Sequence, residues 1–190
     1  MQKKVRIYIL LLLITPIISG IYGVLHDQIT YTISPEYFTN FKFIQFEISD
    51  YLRNSERLAT SLIGFMATWW VGIPIGIILG FQGIKSLDSN YFLKIKTKAL
   101  GITFFTTVIF GFIGFIFWKI FRYKYQDWPM NIGGRISNPE LAEAFLQIKD
   151  IESFLAVGFI HNFSYIGGAI GLLIAIIFQI KKIKKLSNPS

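Results

Sequence analysis

Four long apolar stretches constrain this chain more than any other feature of its sequence. They run approximately over residues 5–25, 58–84, 99–121 and 153–180. Each is long enough for the roughly 20 helical residues that cross a bilayer core of about 30 Å. The predicted fold class is therefore all-α: a transmembrane four-helix bundle in which residues 1–190 form a single integral membrane domain.

The composition agrees with this prediction and excludes several kinds of chemistry. Only 16% of the residues are charged and the mean hydropathy is +0.51, whereas about 25% of residues are charged in ordinary soluble domains. The chain has no cysteine, which excludes disulfides, thiolate metal sites, a cysteine nucleophile, c-type haem and cysteine-ligated iron–sulfur clusters. Any metal must be bound by imidazole or oxygen.

The distribution of charge predicts the orientation of the bundle. Eleven Lys and Arg residues lie among the first six residues, after the last stretch or between the second and third stretches, with Asp88 as the single acid among them. The connections on the other side carry eight cations against ten acids. Short basic loops stay in the cytoplasm, so both termini are predicted to be cytoplasmic. These basic patches are expected to attract anionic lipid rather than nucleic acid.

The first stretch has two interpretations. Ile18 and Gly20 stand where a signal peptide could be cleaved, but the apolar run continues through Leu25, beyond a usual signal core of about 7–15 residues. An uncleaved anchor is the favoured interpretation.

The two outer segments are predicted over residues 26–57 and 122–152. In the second, Asn138 is a predicted helix cap with Pro139 at the first helical position. Leu141, Phe145 and Ile148 follow at helical spacing and predict a helix that runs into the fourth span or a short surface helix beside it. In the first outer segment, the aromatic run 38–48 suits an extended surface segment or an interfacial helix.

Small residues recur at a spacing of about one helical turn in the apolar stretches. Gly72, Gly76 and Gly80 surround Pro74 in the second stretch, and similar pairs occur in the third and fourth. Such spacing lets helix backbones approach in lipid and predicts a compact bundle. Pro74 is expected to kink the second span.

The two histidines of the chain are predicted to lie at one depth. His26 follows Arg6 by 20 residues, and His161 precedes Lys181 by 20 residues. At 1.5 Å per residue each lies about 30 Å above the basic anchors, near the outer boundary. The same counting places Trp69, Trp70 and Trp118 in an outer aromatic belt.

A polar cluster is therefore expected where the first and fourth helices meet. Polar groups inside an apolar run are costly unless they are paired, which makes them candidates for a functional site. The candidate ligand-binding residues are His26, Asp27, Gln28, Glu36, His161, Asn162 and Tyr165.

Three interpretations of this cluster remain open. It is a structural clasp between helices, a pocket for a small ligand or ion, or a cofactor site in which His26 and His161 bind a divalent metal or a b-type haem. No metalloprotease, nucleophile-elbow or phosphate-loop motif occurs in the chain, and an enzymatic activity is not expected. The predicted function is a membrane protein with an outward-facing clasp or ligand site, the alternative being a haem- or metal-binding redox subunit. A homo-oligomer or a partner membrane subunit is compatible with either.

Four sequence blocks carry a resemblance to known proteins. They are Tyr22-Gly23-Val24-Leu25-His26-Asp27-Gln28, Glu36-Tyr37-Phe38-Thr39, Ala67-Thr68-Trp69-Trp70-Val71-Gly72 and His161-Asn162-Phe163-Ser164-Tyr165-Ile166-Gly167-Gly168. With them the chain resembles a group of small bacterial four-span membrane proteins of uncharacterised activity. The resemblance implies a location in the bacterial cytoplasmic membrane and carries over no mechanism, cofactor or partner.

Overall fold

The computed structural model describes residues 2–85, 87–124 and 137–187. Of the residues in these ranges 89% are helical, and none lies in a strand. Four of the helices in the described ranges are long and apolar enough to cross a membrane. The predicted all-α four-helix bundle is thereby confirmed, and the part of the predicted outer segment over 125–136 lies outside the described residues.

Each predicted span corresponds to one long helix or to a pair of consecutive helices. The first span is α1, the second comprises α5 and α6, the third is α7 and the fourth is α9. In chain order the elements are α1 (Gln2–Ile33), α2 (Pro35–Tyr37), a π-helical turn (Phe38–Lys42), α3 (Phe43–Gln45), α4 (Asp50–Arg53), α5 (Glu56–Thr68), a 3-10 turn (Trp69–Val71), α6 (Gly72–Phe81), α7 (Ser89–Phe121), a 3-10 turn (Arg122–Lys124), α8 (Pro139–Leu146) and α9 (Ile151–Ser187).

The bundle consists of two antiparallel helix pairs. The first span packs along the second, where Gly23 lies so close to the Gly64 carbonyl that no Cβ would fit, and Gly72 lies against the backbone of Thr15. The third span packs along the fourth, where Gly111 lies against the Ser164 side chain. The glycine spacing thus marks real helix contacts, although the sequence did not single out Gly23 and Gly64.

The second span is interrupted one turn before its proline. The 3-10 turn Trp69–Val71 separates α5 from α6, and Pro74 lies in the first turn of α6. A proline ring clashes with the carbonyl four residues earlier, here that of Trp70, which accounts for the local change of helix type.

The first span is longer than predicted. The sequence places its end near Leu25, but α1 continues to Ile33, so that His26, Asp27 and Gln28 lie within a helix and not in a loop. The polar residues of the last turns have partners, such as the Thr30 hydroxyl, which donates to the His26 carbonyl at 3.1 Å. With such partners the helix continues past the end of the apolar run.

The outer segment after α1 is helical, and the extended alternative for residues 38–48 is wrong. The π-helical turn brings Phe38 and Phe43 into the core, where they are 0% and 1% exposed. Glu47, with φ of 50°, then ends the helical stretch. Burial of the two phenylalanines explains why the helical alternative is adopted, because apolar burial stabilises by roughly 2 kcal/mol per large side chain.

The predicted helix start at Asn138 is confirmed. Its Oδ1 accepts a hydrogen bond from the Leu141 backbone at 3.1 Å, and Pro139 is the first residue of α8. This helix ends before the fourth span begins, so the structure contains the short surface helix and not a continuous one. Phe145 and Ile148 are buried as the spacing indicates.

The two ends of the bundle differ in what they carry. One end, called the terminal face here, contains the beginning of α1, the end of α9 and the connection over 82–88; Lys4 Nζ donates to the Leu87 carbonyl there at 2.6 Å. The other end, called the loop face, contains the outer segments. Trp69 and Trp70 are exposed, whereas Trp118 is buried (4% exposed), so the predicted aromatic belt is wrong for Trp118.

Large apolar side chains cover the outside of the helices. Leu13, Phe81 and Phe112 of the first three spans are more than 60% exposed, and Leu173 of the fourth is 60% exposed. Water-soluble proteins rarely expose continuous apolar surfaces of this kind. The surface is that of a multi-pass membrane protein in a lipid bilayer.

Candidate functional site

The first and fourth spans meet near the loop face, and both histidines lie at the contact. The imidazole rings of His26 and His161 are 4.6 Å apart between centroids and almost perpendicular, with an interplanar angle of 89°. The prediction that they share one level on neighbouring helices is confirmed. Asp27 lies between them, and the three side chains are called the His–Asp–His cluster below.

One carboxylate oxygen joins the cluster. Asp27 Oδ1 lies 3.1 Å from His26 Nδ1 and 3.1 Å from His161 Nε2. The other ring nitrogens are also engaged, because His161 Nδ1 lies 2.9 Å from the Val157 carbonyl and His26 Nε2 lies 3.4 Å from Ser164 Oγ. Every ring nitrogen of the cluster therefore faces a polar atom.

Hydrogen-bond chemistry determines what these contacts require. A carbonyl only accepts, so the Val157 contact places a proton on His161 Nδ1. A neutral His161 then presents an Nε2 lone pair to the Asp27 oxygen, and two lone pairs at 3.1 Å repel each other. The contact needs one additional proton between Asp27 and His161, or a cation in its place.

The cluster is enclosed mainly by aromatic rings. Tyr37 from the outer segment stacks on His161 with centroids 5.0 Å apart, and Phe38 approaches the same ring from a second direction. Tyr22, one turn before His26, lies 5.5 Å from it, and its buried hydroxyl forms no regular hydrogen bond among the described residues. The enclosure leaves the side chain of His26 14% exposed, which makes it the most accessible member of the cluster.

The charge of Asp27 affects titratable groups on the outer segment. Burial raises the pKa of the Tyr37 hydroxyl far above its usual value, and the charges of Tyr165 and Asp27 act in the same direction. Burial lowers the pKa of the Lys42 ammonium, while the Asp27 carboxylate opposes this shift. The Lys42 Nζ stands over the Phe41 ring at 4.8 Å. The same Nζ lies 5.8 Å from the centroid of the Tyr37 ring, which stacks on His161.

The four other predicted site residues are not members of the His–Asp–His cluster. Gln28 points to the second span and donates to the Arg57 carbonyl at 2.8 Å and to Ser61 Oγ at 2.9 Å. Glu36 accepts hydrogen bonds from the backbone amides of Lys149 and Asp150, just before the fourth span.

The remaining two are on the fourth span. Asn162 is exposed, and Tyr165, 51% exposed, has its ring centroid 6.5 Å from that of His161. The structure brings His26, Asp27 and His161 together, with Tyr165 at the edge of the cluster.

Some residues of the site were not recognised from the sequence. Tyr22 and Val157 each precede a cluster histidine by four residues, so helical spacing was a usable signal for both. Tyr37 and Phe38 had no such signal, because their approach to His161 depends on the π-helical turn and on the return of the outer segment over the bundle.

The cluster has the donor set of a metal site. Its three residues offer ligand atoms that all lie within 4.8 Å of one another. Zinc bonds of about 2 Å in a tetrahedral site separate ligand atoms by a little over 3 Å, comparable to the two contacts of Asp27 Oδ1. The Val157 carbonyl also orients His161 so that Nε2 is free to coordinate, as partners of metal-bound histidines commonly do.

Comparisons with known proteins add no family assignment. No protein-family profile, curated protein sequence or solved structure matches this chain.

Proposed function

We propose that this multi-pass membrane protein binds one divalent transition-metal ion at the His–Asp–His cluster. One observation carries the proposal: two imidazoles and a carboxylate from the first and fourth spans converge on a common centre. A carboxylate with two histidines is a ligand set for zinc and for non-haem iron, whereas Mg²⁺ and Ca²⁺ prefer all-oxygen sites.

The contact between the two histidine rings favours a single ion over haem. Axial imidazoles of one haem lie on opposite faces of the porphyrin, with their coordinating nitrogens about 4 Å apart and the macrocycle between them. In this protein the ring centroids of His26 and His161 are only 4.6 Å apart, with one ring edge-on to the other. Asp27 Oδ1 lies between their facing nitrogens. An ion of zinc size requires much less rearrangement than a porphyrin.

A structural clasp is the second candidate, and it has its own supporting observation. Asp27 Oδ1 bonds both histidines directly, so a shared proton satisfies the cluster without any ion. Buried polar groups that satisfy one another join helices in a membrane. In this case the cluster would fasten the first helix pair to the second.

Zinc titration of the purified full-length protein in detergent tests the metal proposal. The wild type, His161→Ala and Asn162→Ala are compared by calorimetry and by elemental analysis after dialysis. Asn162 is the matched control because it is exposed and adjacent to His161. The expected result is one zinc per chain for the wild type and the control, with affinity lowered by at least about 100-fold in His161→Ala, since a direct ligand is lost.

Two outcomes would contradict the metal site. Zinc binding that is equal in the wild type and in His161→Ala would place the metal elsewhere. A wild type that takes up no metal, together with a His161→Ala variant of lowered thermal stability, would favour the clasp.

The membrane setting is part of the same proposal. The basic terminal face is the cytoplasmic face of a bacterial inner membrane, and the cluster then lies near the periplasmic side. The excess of Lys and Arg at the terminal face supports this orientation. Anionic lipid is attracted to that face, and the exposed apolar helix surfaces allow a second copy or a partner membrane subunit to pack against the bundle.

A further inference from the structure

A buried lysine lies near the terminal face, at the opposite end of the bundle from the His–Asp–His cluster. Lys96 on the third span is 0% exposed. Its Nζ donates to the Gln82 backbone carbonyl and to Gln179 Oε1, the latter at 2.6 Å, and lies 4.8 Å from the Phe92 ring centroid. Among the described residues no acid is within ion-pairing distance of Lys96. The described hydrogen-bond partners of Lys96 are therefore both neutral.

A groove adjoins this lysine. It has a volume of about 570 Å³ and lies between the end of the second span, the following turn and the last turns of the fourth span. Gln82, whose carbonyl binds Lys96, lines the groove, and its buried Oε1 has no hydrogen-bond partner among the described residues. Gly83, with φ of 74°, turns the chain toward Ile183 and shapes one wall.

The lining combines an apolar surface with cations. Lys85 and Lys184 line the groove and are exposed, and none of the described residues that line it is acidic. The apolar part is open to the outside of the bundle, since Phe81 is 63% and Ile180 is 45% exposed. The other apolar side chains of the lining are Ile84 and Ile183.

We propose that this groove binds one anionic phospholipid, with an acyl chain along the apolar lining and the phosphate at Lys85 and Lys184. Charge complementarity identifies the occupant: the two exposed cations Lys85 and Lys184 line a groove that has no acid among its described lining residues, and the adjoining membrane surface contains anionic headgroups. The acyl chain distinguishes this ligand from a soluble anion, because it fills an apolar groove that free phosphate leaves open.

Lipid-dependent thermal stabilisation and native mass spectrometry of the full chain in detergent test the proposal. The probes are phosphatidylglycerol and phosphatidylcholine with identical acyl chains, and inorganic phosphate alone. The double variant Lys85→Ala/Lys184→Ala is compared with Lys94→Ala/Lys98→Ala, which removes the same charge from exposed positions of the third span outside the groove. The expected result is one retained phosphatidylglycerol in the wild type and the control, with binding at least about tenfold weaker in the groove variant.

A second pair of variants tests the acyl part without changing any charge. Ile180→Trp fills the groove, whereas Ile177→Trp places the same ring on an exposed position outside the groove lining. We expect Ile180→Trp to lose phosphatidylglycerol and Ile177→Trp to retain it. This comparison also remains informative if the lysine variants prove unstable.

Several results would overturn the lipid site. They are equal weakening by the two lysine pairs, equal binding of phosphatidylcholine, stabilisation by inorganic phosphate alone, or unchanged lipid retention in Ile180→Trp. Zinc binding at the other end of the bundle is independent of each of these readouts, so failure of one proposal does not imply failure of the other.

Discussion

Asp27 Oδ1 and His161 Nε2 lie 3.1 Å apart, although 134 residues separate them in the chain. The contact joins the first helix pair to the second between two buried side chains, which would be costly to leave unpaired. Since the Val157 carbonyl occupies the other nitrogen of His161, the contact holds either one shared proton or one cation.

Asp27→Asn distinguishes these two uses of the contact. An amide NH₂ in the place of Oδ1 donates to both histidines, so all hydrogen bonds are satisfied without an additional proton. We expect the metal-free variant to keep its thermal stability within about 1 kcal/mol of the wild type. Its zinc affinity should fall strongly, because the neutral amide does not compensate the charge of the ion. Undiminished zinc binding in calorimetry would contradict the metal site.

Gly23→Ala should destabilise the bundle. A Cβ at this position would collide with the Gly64 carbonyl and the Thr68 hydroxyl. We expect a loss of about 1–3 kcal/mol in the free energy of unfolding, measured by thermal denaturation in detergent. Gly101→Ala is the control: no atom lies within 4 Å of its added Cβ, and alanine favours the helix by up to about 1 kcal/mol. A similar loss in both variants would refute the close approach of the first and second spans.

Glu36→Ala should loosen the outer segment from the fourth span. The Glu36 carboxylate accepts from two backbone amides at 2.8–3.2 Å where the chain enters α9. Loss of a carboxylate in such a position costs about 1–2 kcal/mol, and Glu36→Gln should cost less because its carbonyl still accepts. Thermal unfolding of the two variants and the wild type measures whether Glu36→Ala is less stable than Glu36→Gln. Glu143→Ala on α8, which removes an exposed acid, serves as the reference, and equal effects of the two alanine variants would argue against a stabilising role of the hydrogen bonds from the Lys149 and Asp150 amides to Glu36.

The orientation in the membrane can be measured without background labelling because the chain has no cysteine. Tyr51→Cys on the loop face, where the side chain is 84% exposed, should react with a membrane-impermeant maleimide added to intact spheroplasts. Lys182→Cys at the terminal face should react only after the spheroplasts are lysed, since basic segments stay in the cytoplasm. The reverse labelling pattern would show that the proposed orientation is wrong.

Much of the fold was predictable from residue patterns, and the failures have physical causes. The end of the first span was misplaced because hydropathy registers Asp27 and Gln28 as the start of a loop, whereas hydrogen bonds to other helices keep them helical. Lys96 was counted with the loop cations, yet it is buried against Gln179. Both errors concern polar groups whose partners are distant in sequence.

The sequence by itself determined the four spans, the glycine spacing of the second, third and fourth spans, the cap at Asn138 and the common level of His26 and His161. Each of these features depends on residues that are near one another in the chain. The length of an apolar run, the rise per helical residue and the capping of a helix end can be recognised without knowing any distant partner. Only the tertiary structure decided that Asp27 joins both histidines while Gln28 and Glu36 serve other contacts. Adjacent residues on a helix point about 100° apart, so which neighbour each one meets depends on how the two helix pairs dock.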